Sequence, residues 1–150
     1  MGSVSSKRLG FRKGGRQWLR LPEPLSSELV HEFVRIAHFD LDGVRAFLAD
    51  DPQLVNAAWD WGGGDWETGL GAAAHVGRRD IAELLLDRGA RLDVFAAAML
   101  GQVGIVRAII DASPATRDAT GPHGIPLIEH AKQGGAEAHA VVELLEGAAV

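Results

Sequence analysis

The chain has 150 residues, 47% of them hydrophobic, with fifteen basic and twenty acidic side chains and no cysteine. That length and apolar content suit one globular domain with a real core, and the missing thiols exclude disulfides, cysteine nucleophiles and thiolate metal sites. No apolar run approaches the roughly 18 residues that cross a bilayer, and the basic N-terminus lacks the apolar segment of a secretory signal, so a cytoplasmic protein with no membrane partner is expected.

Residues 1–20 hold six basic residues (Lys7, Arg8, Arg12, Lys13, Arg16 and Arg20) and no acid. Gly2, Gly10, Gly14, Gly15 and scattered serines cannot build a core there. Residues 1–22 are therefore read as a flexible basic arm and 23–150 as the folded domain. The remainder of the chain is acidic and presents no basic helix face, so nucleic acid is not the expected partner.

In chain order, four short segments rich in small residues share one plan: Phe33 to Asp40, Leu70 to Gly77, Val94 to Gly101 and Leu127 to Gly134. Each reads as a helix stopped by Gly, or by Asp in the first copy, and Gly at that place suits a left-handed helix end. A second helix follows each one, with apolar residues at i, i+3 and i+4. The stripes are Val44, Phe47, Leu48; Ile81, Leu84, Leu85; and Val141, Leu144, Leu145, while the third copy keeps Ile105 and Ile109 around Ala108. Asp51-Pro52, Gly89-Ala90, Ser113-Pro114 and Gly147-Ala148 close these second helices. A pair this short cannot bury its apolar face alone, so neighbouring pairs must stack.

Thr68-Gly-Leu-Gly-Ala-Ala-Ala-His-Val-Gly77, followed by Asp80-Ile-Ala-Glu-Leu-Leu-Leu-Asp-Arg-Gly-Ala90, resembles an ankyrin repeat. That family's pattern is T-P-L-H-x-A-A-x-x-G with a V-V-x-L-L-L-x-x-G-A tail. The resemblance covers roughly residues 30–148 and is specific in the second repeat and degenerate elsewhere. The stretches Gly64 to Glu67, Phe95 to Gly101 and Gly121 to Gly124 also resemble a group of small bacterial ankyrin proteins. The resemblance implies an all-α ankyrin-repeat solenoid of about four helix pairs with irregular β-finger loops, whose fingers and first helices line a concave binding surface.

The spacing departs from the family period of about 33 residues. Ala37 to Ala74 is 37 residues, Ala74 to Ala98 is 24 and Ala98 to Ala131 is 33. The second connection has no room for a finger, so Arg91-Leu92-Asp93 must turn almost directly into the next helix. The first connection is enlarged, and its loop from Asn56 to Glu67 should arch over the stretch where the next wall is missing and enclose a pocket.

Candidate residues concentrate in that loop. Trp59 and Trp61 are two apart and point the same way in an extended segment, and Gly62-Gly63-Gly64 permits a reversal that returns Trp66. The three indoles read as walls for a flat or cationic ligand, as an interface anchor, or as packing for the loop. Beside them, Asp60 or Glu67 would be desolvated and raised in pKa, the condition for acid–base work. Asp65 and Glu67 equally suit the capping of the helix they precede.

His38 and His75 hold equivalent places at the ends of consecutive first helices. Packed helices stand about 10 Å apart, too far for one metal but compatible with two sides of one site. His123 lies in a finger among turn-forming residues and should face the concave side, while His130 takes a position normally buried against a neighbouring helix. Met99, in the third Ala run, joins the candidate lining. No H-E-x-x-H or phosphate-binding motif is present, so no metal and no cofactor is expected.

Two functions are expected, a binding module first and a small-molecule site or enzyme as the alternative. One is a binding module that docks a protein partner on the concave surface, with Trp59, Trp61, Asp65, Trp66, His38, Met99 and His130 as contact residues. The other is a cofactor-free small-molecule site or enzyme acting on an aromatic or polycyclic metabolite by isomerisation, cyclisation or dehydration. In it Asp60 or Glu67 is the acid or base and His75 or His123 its complement.

Overall fold

The computed structural model describes residues 21–147. Most of the arm assigned to residues 1–22 lies outside the described residues, as do the last three of the chain. Among the described residues are eight α-helices in four consecutive pairs, with one two-stranded hairpin, so the fold is all-α. The pairs are α1 (Ser27–Ile36) with α2 (Leu41–Asp50), α3 (Gly69–His75) with α4 (Arg79–Asp87), α5 (Val94–Met99) with α6 (Val103–Ala112), and α7 (Leu127–Gln133) with α8 (His139–Glu146). Among the described residues no helix is long and apolar enough to cross a membrane.

Short polar side chains start the inner helices. Ser26, Thr68 and Asp93 each accept a hydrogen bond from the backbone N–H three residues on, satisfying a donor the first turn leaves free. Helix α3 is Gly-Leu-Gly-Ala-Ala-Ala-His, seven residues with six of them buried. Its stability therefore comes from packing rather than from intrinsic preference. The inner helices α1, α3, α5 and α7 pack in sequence, and α2 against α4 and α6 against α8 form the layer behind them. Phe33, Leu54, Leu70, Ile81, Leu85 and Met99 fill the core of the first three pairs. Val106, Leu127, Ala131 and Val141 fill that of the last two.

Glycines set how closely the pairs approach. Gly77 and Gly101 end α3 and α5 in the left-handed conformation, with φ of 74° and 76°. The fourth copy differs from the sequence expectation: Gly134 stays helical at φ −71°, and Gly135 takes the left-handed turn at φ 63°. Gly134 is needed for a different reason, since a Cβ there would lie 2.0 Å from the Met99 carbonyl oxygen.

The connections follow the irregular spacing. The enlarged first one contains β1 (Ala58–Asp60) and β2 (Trp66–Thr68), antiparallel with Ala58 opposite Thr68, Trp59 opposite Glu67 and Asp60 opposite Trp66. The last is a narrow finger closed by a Thr120–Pro126 bridge. Between α4 and α5 no strand forms, and Asp93 caps α5 directly. Asn56 laces this short link to the enlarged one: its Nδ2 donates to the Gly89 carbonyl at 3.2 Å and its Oδ1 accepts from Arg91 N–H at 2.9 Å.

Candidate functional site

The hairpin turn is built from Gly62, Gly63 and Gly64, all at positive φ. Asp60 stabilises it, with Oδ1 accepting from the N–H of Gly62 at 2.9 Å and of Gly64 at 3.0 Å. Asp60 is thus committed to the turn and stands apart from the imidazoles described below. The tight reversal sets the alternation of β2: Trp66 is 61% exposed, and Glu67, the next residue, is 1% exposed.

Glu67 points inward, where Trp61 Nε1–H donates to its Oε2 at 2.7 Å. Three imidazoles surround the carboxylate. His38 Nε2 lies 3.4 Å from Oε2, and His75 Nε2 and His123 Nε2 lie 3.0 Å and 3.4 Å from Oε1. His38 and His75 also meet each other, Nε2 to Nε2, at 3.1 Å. The expected separation of about 10 Å, too far for one metal though compatible with two sides of one site, is therefore overturned. Helix spacing fixes backbones, and two side chains reaching toward each other close most of that gap. Neither His75 nor His123 makes a well-formed hydrogen bond to Oε1, which is buried and unpartnered.

Each ring is held from behind where its other nitrogen has a partner. His38 Nδ1 faces the carbonyl oxygens of Val34 at 3.2 Å and Arg35 at 3.0 Å, one turn back on α1. His123 Nδ1 faces Asp65 Oδ2 at 2.7 Å, and the other Asp65 oxygen accepts from His123 backbone N–H at 2.8 Å. Carbonyls and carboxylates only accept, so both Nδ1 atoms carry a hydrogen; in the neutral rings the Nε2 lone pairs face Glu67, and on protonation Nε2–H points at it instead. His123 holds this place with a left-handed backbone, φ 60°, flanked by turn-forming residues. Thr68 takes the capping position of α3. Asp65 is therefore a clamp on the last finger rather than a cap.

The missing finger makes that clamp feasible. With no finger between α4 and α5, the Gly121–Gly124 turn of the last connection reaches the first hairpin directly, across 58 residues of sequence. The centre is thus assembled from the end of α1, the hairpin, the end of α3 and the last finger.

The electrostatics follow from this crowding. Burial alone would push the Glu67 carboxyl up, as expected from the sequence. The side-chain contacts of His38 and His75, the positive charge that His38 carries when protonated, and the Trp61 N–H outweigh burial and hold it at about 2. The expected upward shift is thus reversed. The same contact with Glu67 raises His38 against its own desolvation. Asp65 is held below the usual carboxylate range, first by the His123 backbone N–H and then by its ring.

The aromatic walls are partly as expected. Trp59 and Trp61 point the same way and pack on His31, with ring centroids 4.8 Å and 5.4 Å from it, and Trp61 also lies 6.2 Å from both His38 and His123. His31 was not foreseen. The available signal was its spacing of seven from His38, which places the two on one side of α1 and the turn that follows it. Trp66 turns to the opposite side of the hairpin, beside an open groove of about 360 Å³ lined by Asp65, Trp66, Asp93, Phe95, Gly121 and Pro122.

Besides Asp60 and Trp66, Met99 and His130 fall outside the centre. Met99 is fully buried in the core, and its carbonyl accepts from Arg79, so it lines no surface. His130 is fully buried against Phe95 with Nδ1 facing the Pro126 carbonyl at 3.0 Å and Nε2 unpartnered. Burial lowers its pKa. No protein family, no curated protein and no solved structure matches the chain.

Proposed function

We propose that this chain is an ankyrin-like solenoid that takes up a small molecule at the imidazole cluster around Glu67 and acts on it as an enzyme. The observation behind this reading is a fully buried carboxylate encircled by imidazoles from three different repeats. Burying a charge is costly, and a flat docking surface has no use for it. Converging polar groups beside aromatic side chains suit a small-molecule site. His31, Trp59 and Trp61 flank the cluster, which favours an aromatic or polycyclic substrate and a rearrangement such as isomerisation, cyclisation or dehydration. The four helix pairs, Gly-ended inner helices and finger-like connections support the ankyrin likeness.

A second reading, docking of a protein partner, draws on Trp66, which is 61% exposed beside the groove. One experiment separates the two. A thermal-shift screen against a metabolite library reports native-state binding by mass action. The small-molecule reading expects hits that disappear in Trp61→Ala and persist in Trp66→Ala. Stabilisation by no compound, together with a complex captured by the wild type and lost in Trp66→Ala, would overturn it.

A further inference from the structure

We propose that His38, Glu67, His75 and His123 form a mononuclear site for a divalent transition-metal ion. One ligand atom from each of the four lies within 4.8 Å of all the others. Bonds of about 2.1 Å in a tetrahedral arrangement separate neighbouring ligand atoms by about 3.4 Å. His75 and His123 lie 3.0 and 3.4 Å from Oε1 and His38 lies 3.4 Å from Oε2, close to that spacing, and the wider pairs, up to 4.8 Å, would draw in around an ion.

The hydrogen bonding gives the independent argument. The carbonyls behind His38 and the carboxylate behind His123 force both Nδ1 atoms to donate. In the neutral rings the Nε2 lone pairs then face a carboxylate, acceptor against acceptor, and one oxygen of that carboxylate is buried with no partner. Such a grouping calls for positive charge at its centre, either protons on the Nε2 atoms or a bound cation that replaces them. A cation at its centre satisfies two fixed lone pairs, His75 Nε2 and the orphaned Oε1 at once. The backing contacts are also those that metal-bound histidines need, a carbonyl or carboxylate on the second ring nitrogen. The Trp61 N–H steadies the far carboxylate oxygen in the same way.

The donor set chooses the class of ion. Three imidazoles and one carboxylate, without thiolate, suit zinc, cobalt, iron, nickel or manganese rather than magnesium or calcium, which prefer all-oxygen shells. The imidazoles keep 13–34% of their surface while Glu67 keeps none, so the ion would sit at the rim of the cluster, within reach of an exogenous ligand. This replaces the expectation of a cofactor-free site. It shares the cluster with the small-molecule reading but not its substrate, so either can fail without the other.

The test is a titration of chelator-stripped full-length protein with Co²⁺ and with Zn²⁺, read by visible absorption and equilibrium dialysis. The expected result is one equivalent bound, a raised melting temperature, and loss of that equivalent in His38→Ala, His75→Ala and Glu67→Gln. As a measurement needing no variant, histidine ¹⁵N spectra should shift at His38, His75 and His123 and not at His31, His130 or His139. Binding by the wild type no greater than by a His38→Ala/His75→Ala double variant, or shifts confined to the other histidines, would overturn the proposal.

Discussion

Asp65 grips His123 twice, with one oxygen on its backbone N–H at 2.8 Å and the other on its ring Nδ1 at 2.7 Å. This double contact joins the first hairpin to the last finger and decides which ring nitrogen faces Glu67. Asp65→Asn tests it. An amide can still accept from the backbone N–H, but its NH₂ then meets Nδ1 and favours the opposite tautomer. The ¹⁵N spectrum of His123 should show the hydrogen moved to Nε2, and metal affinity should fall about 10–100-fold, the usual cost of losing such a backing group. An unchanged tautomer would show that the ring is oriented by packing instead.

Trp61→Phe removes one N–H and leaves an aromatic ring beside His31. Glu67 Oε2 then loses its donor in a buried place. A hydrogen bond to a charged group contributes about 1.5–3 kcal/mol, so the urea midpoint should drop by a corresponding amount. A midpoint equal to wild type would mean that water replaces the indole.

Two glycines in helical conformation should respond in opposite directions to alanine. At Gly134 the new Cβ would meet the Met99 carbonyl oxygen and Ala138 Cβ at 2.0 and 2.5 Å, and overpacking of this kind costs about 1–3 kcal/mol. At Gly104, in α6, nothing lies within 4 Å, so the gain in backbone restriction should stabilise the chain by about 0.5–1 kcal/mol. Chemical denaturation of the two variants gives the sign directly.

His130 supplies a pH signature separate from the centre. Burial is the main cause of its lowered pKa, with the charge of His75 adding to it and the Pro126 carbonyl and Asp93 opposing it. The unfolded chain therefore takes up a proton near pH 6.5 while the folded chain resists. The stability this residue contributes is present above that pH and is lost as pH falls toward its folded pKa. His130→Asn keeps a donor for the Pro126 carbonyl and does not titrate. Melting temperatures at pH 7 and pH 5.5 should differ less in the variant than in the wild type. An equal difference would remove His130 from the acid limb.

The helix pairs were legible because their signals are local. Apolar spacing in the second helices, Gly and Pro at their ends, and the 24-residue step that leaves no room for a finger all act within a few residues of themselves. Most members of the centre were also visible as residues: Trp61, Asp65, Glu67, His38, His75 and His123. Their meeting was not. It depends on side-chain reach, which backbone spacing between repeats does not report, and on a contact between residues 65 and 123 permitted by a missing element. The direction of the Glu67 shift failed for the same reason, since burial was foreseeable and the three rings around it were not. Met99 was misplaced because its stretch faces the core, and one apolar helix face looks like another until its neighbour is known; the burial of His130 was expected, but not its distance from the centre.

Repeat arrays are governed by nearest neighbours, and their ends ordinarily fray without consequence for the middle. Here the site takes His38 from the first pair, Glu67 and His75 from the second, and His123 from the finger that leads into the fourth. Loosening of the last finger alone removes one of the four groups. Whatever occupies the site therefore ties the two ends of the array together, so its unfolding with the site filled should be all-or-none, and with the site empty should proceed from the C-terminal pair inward.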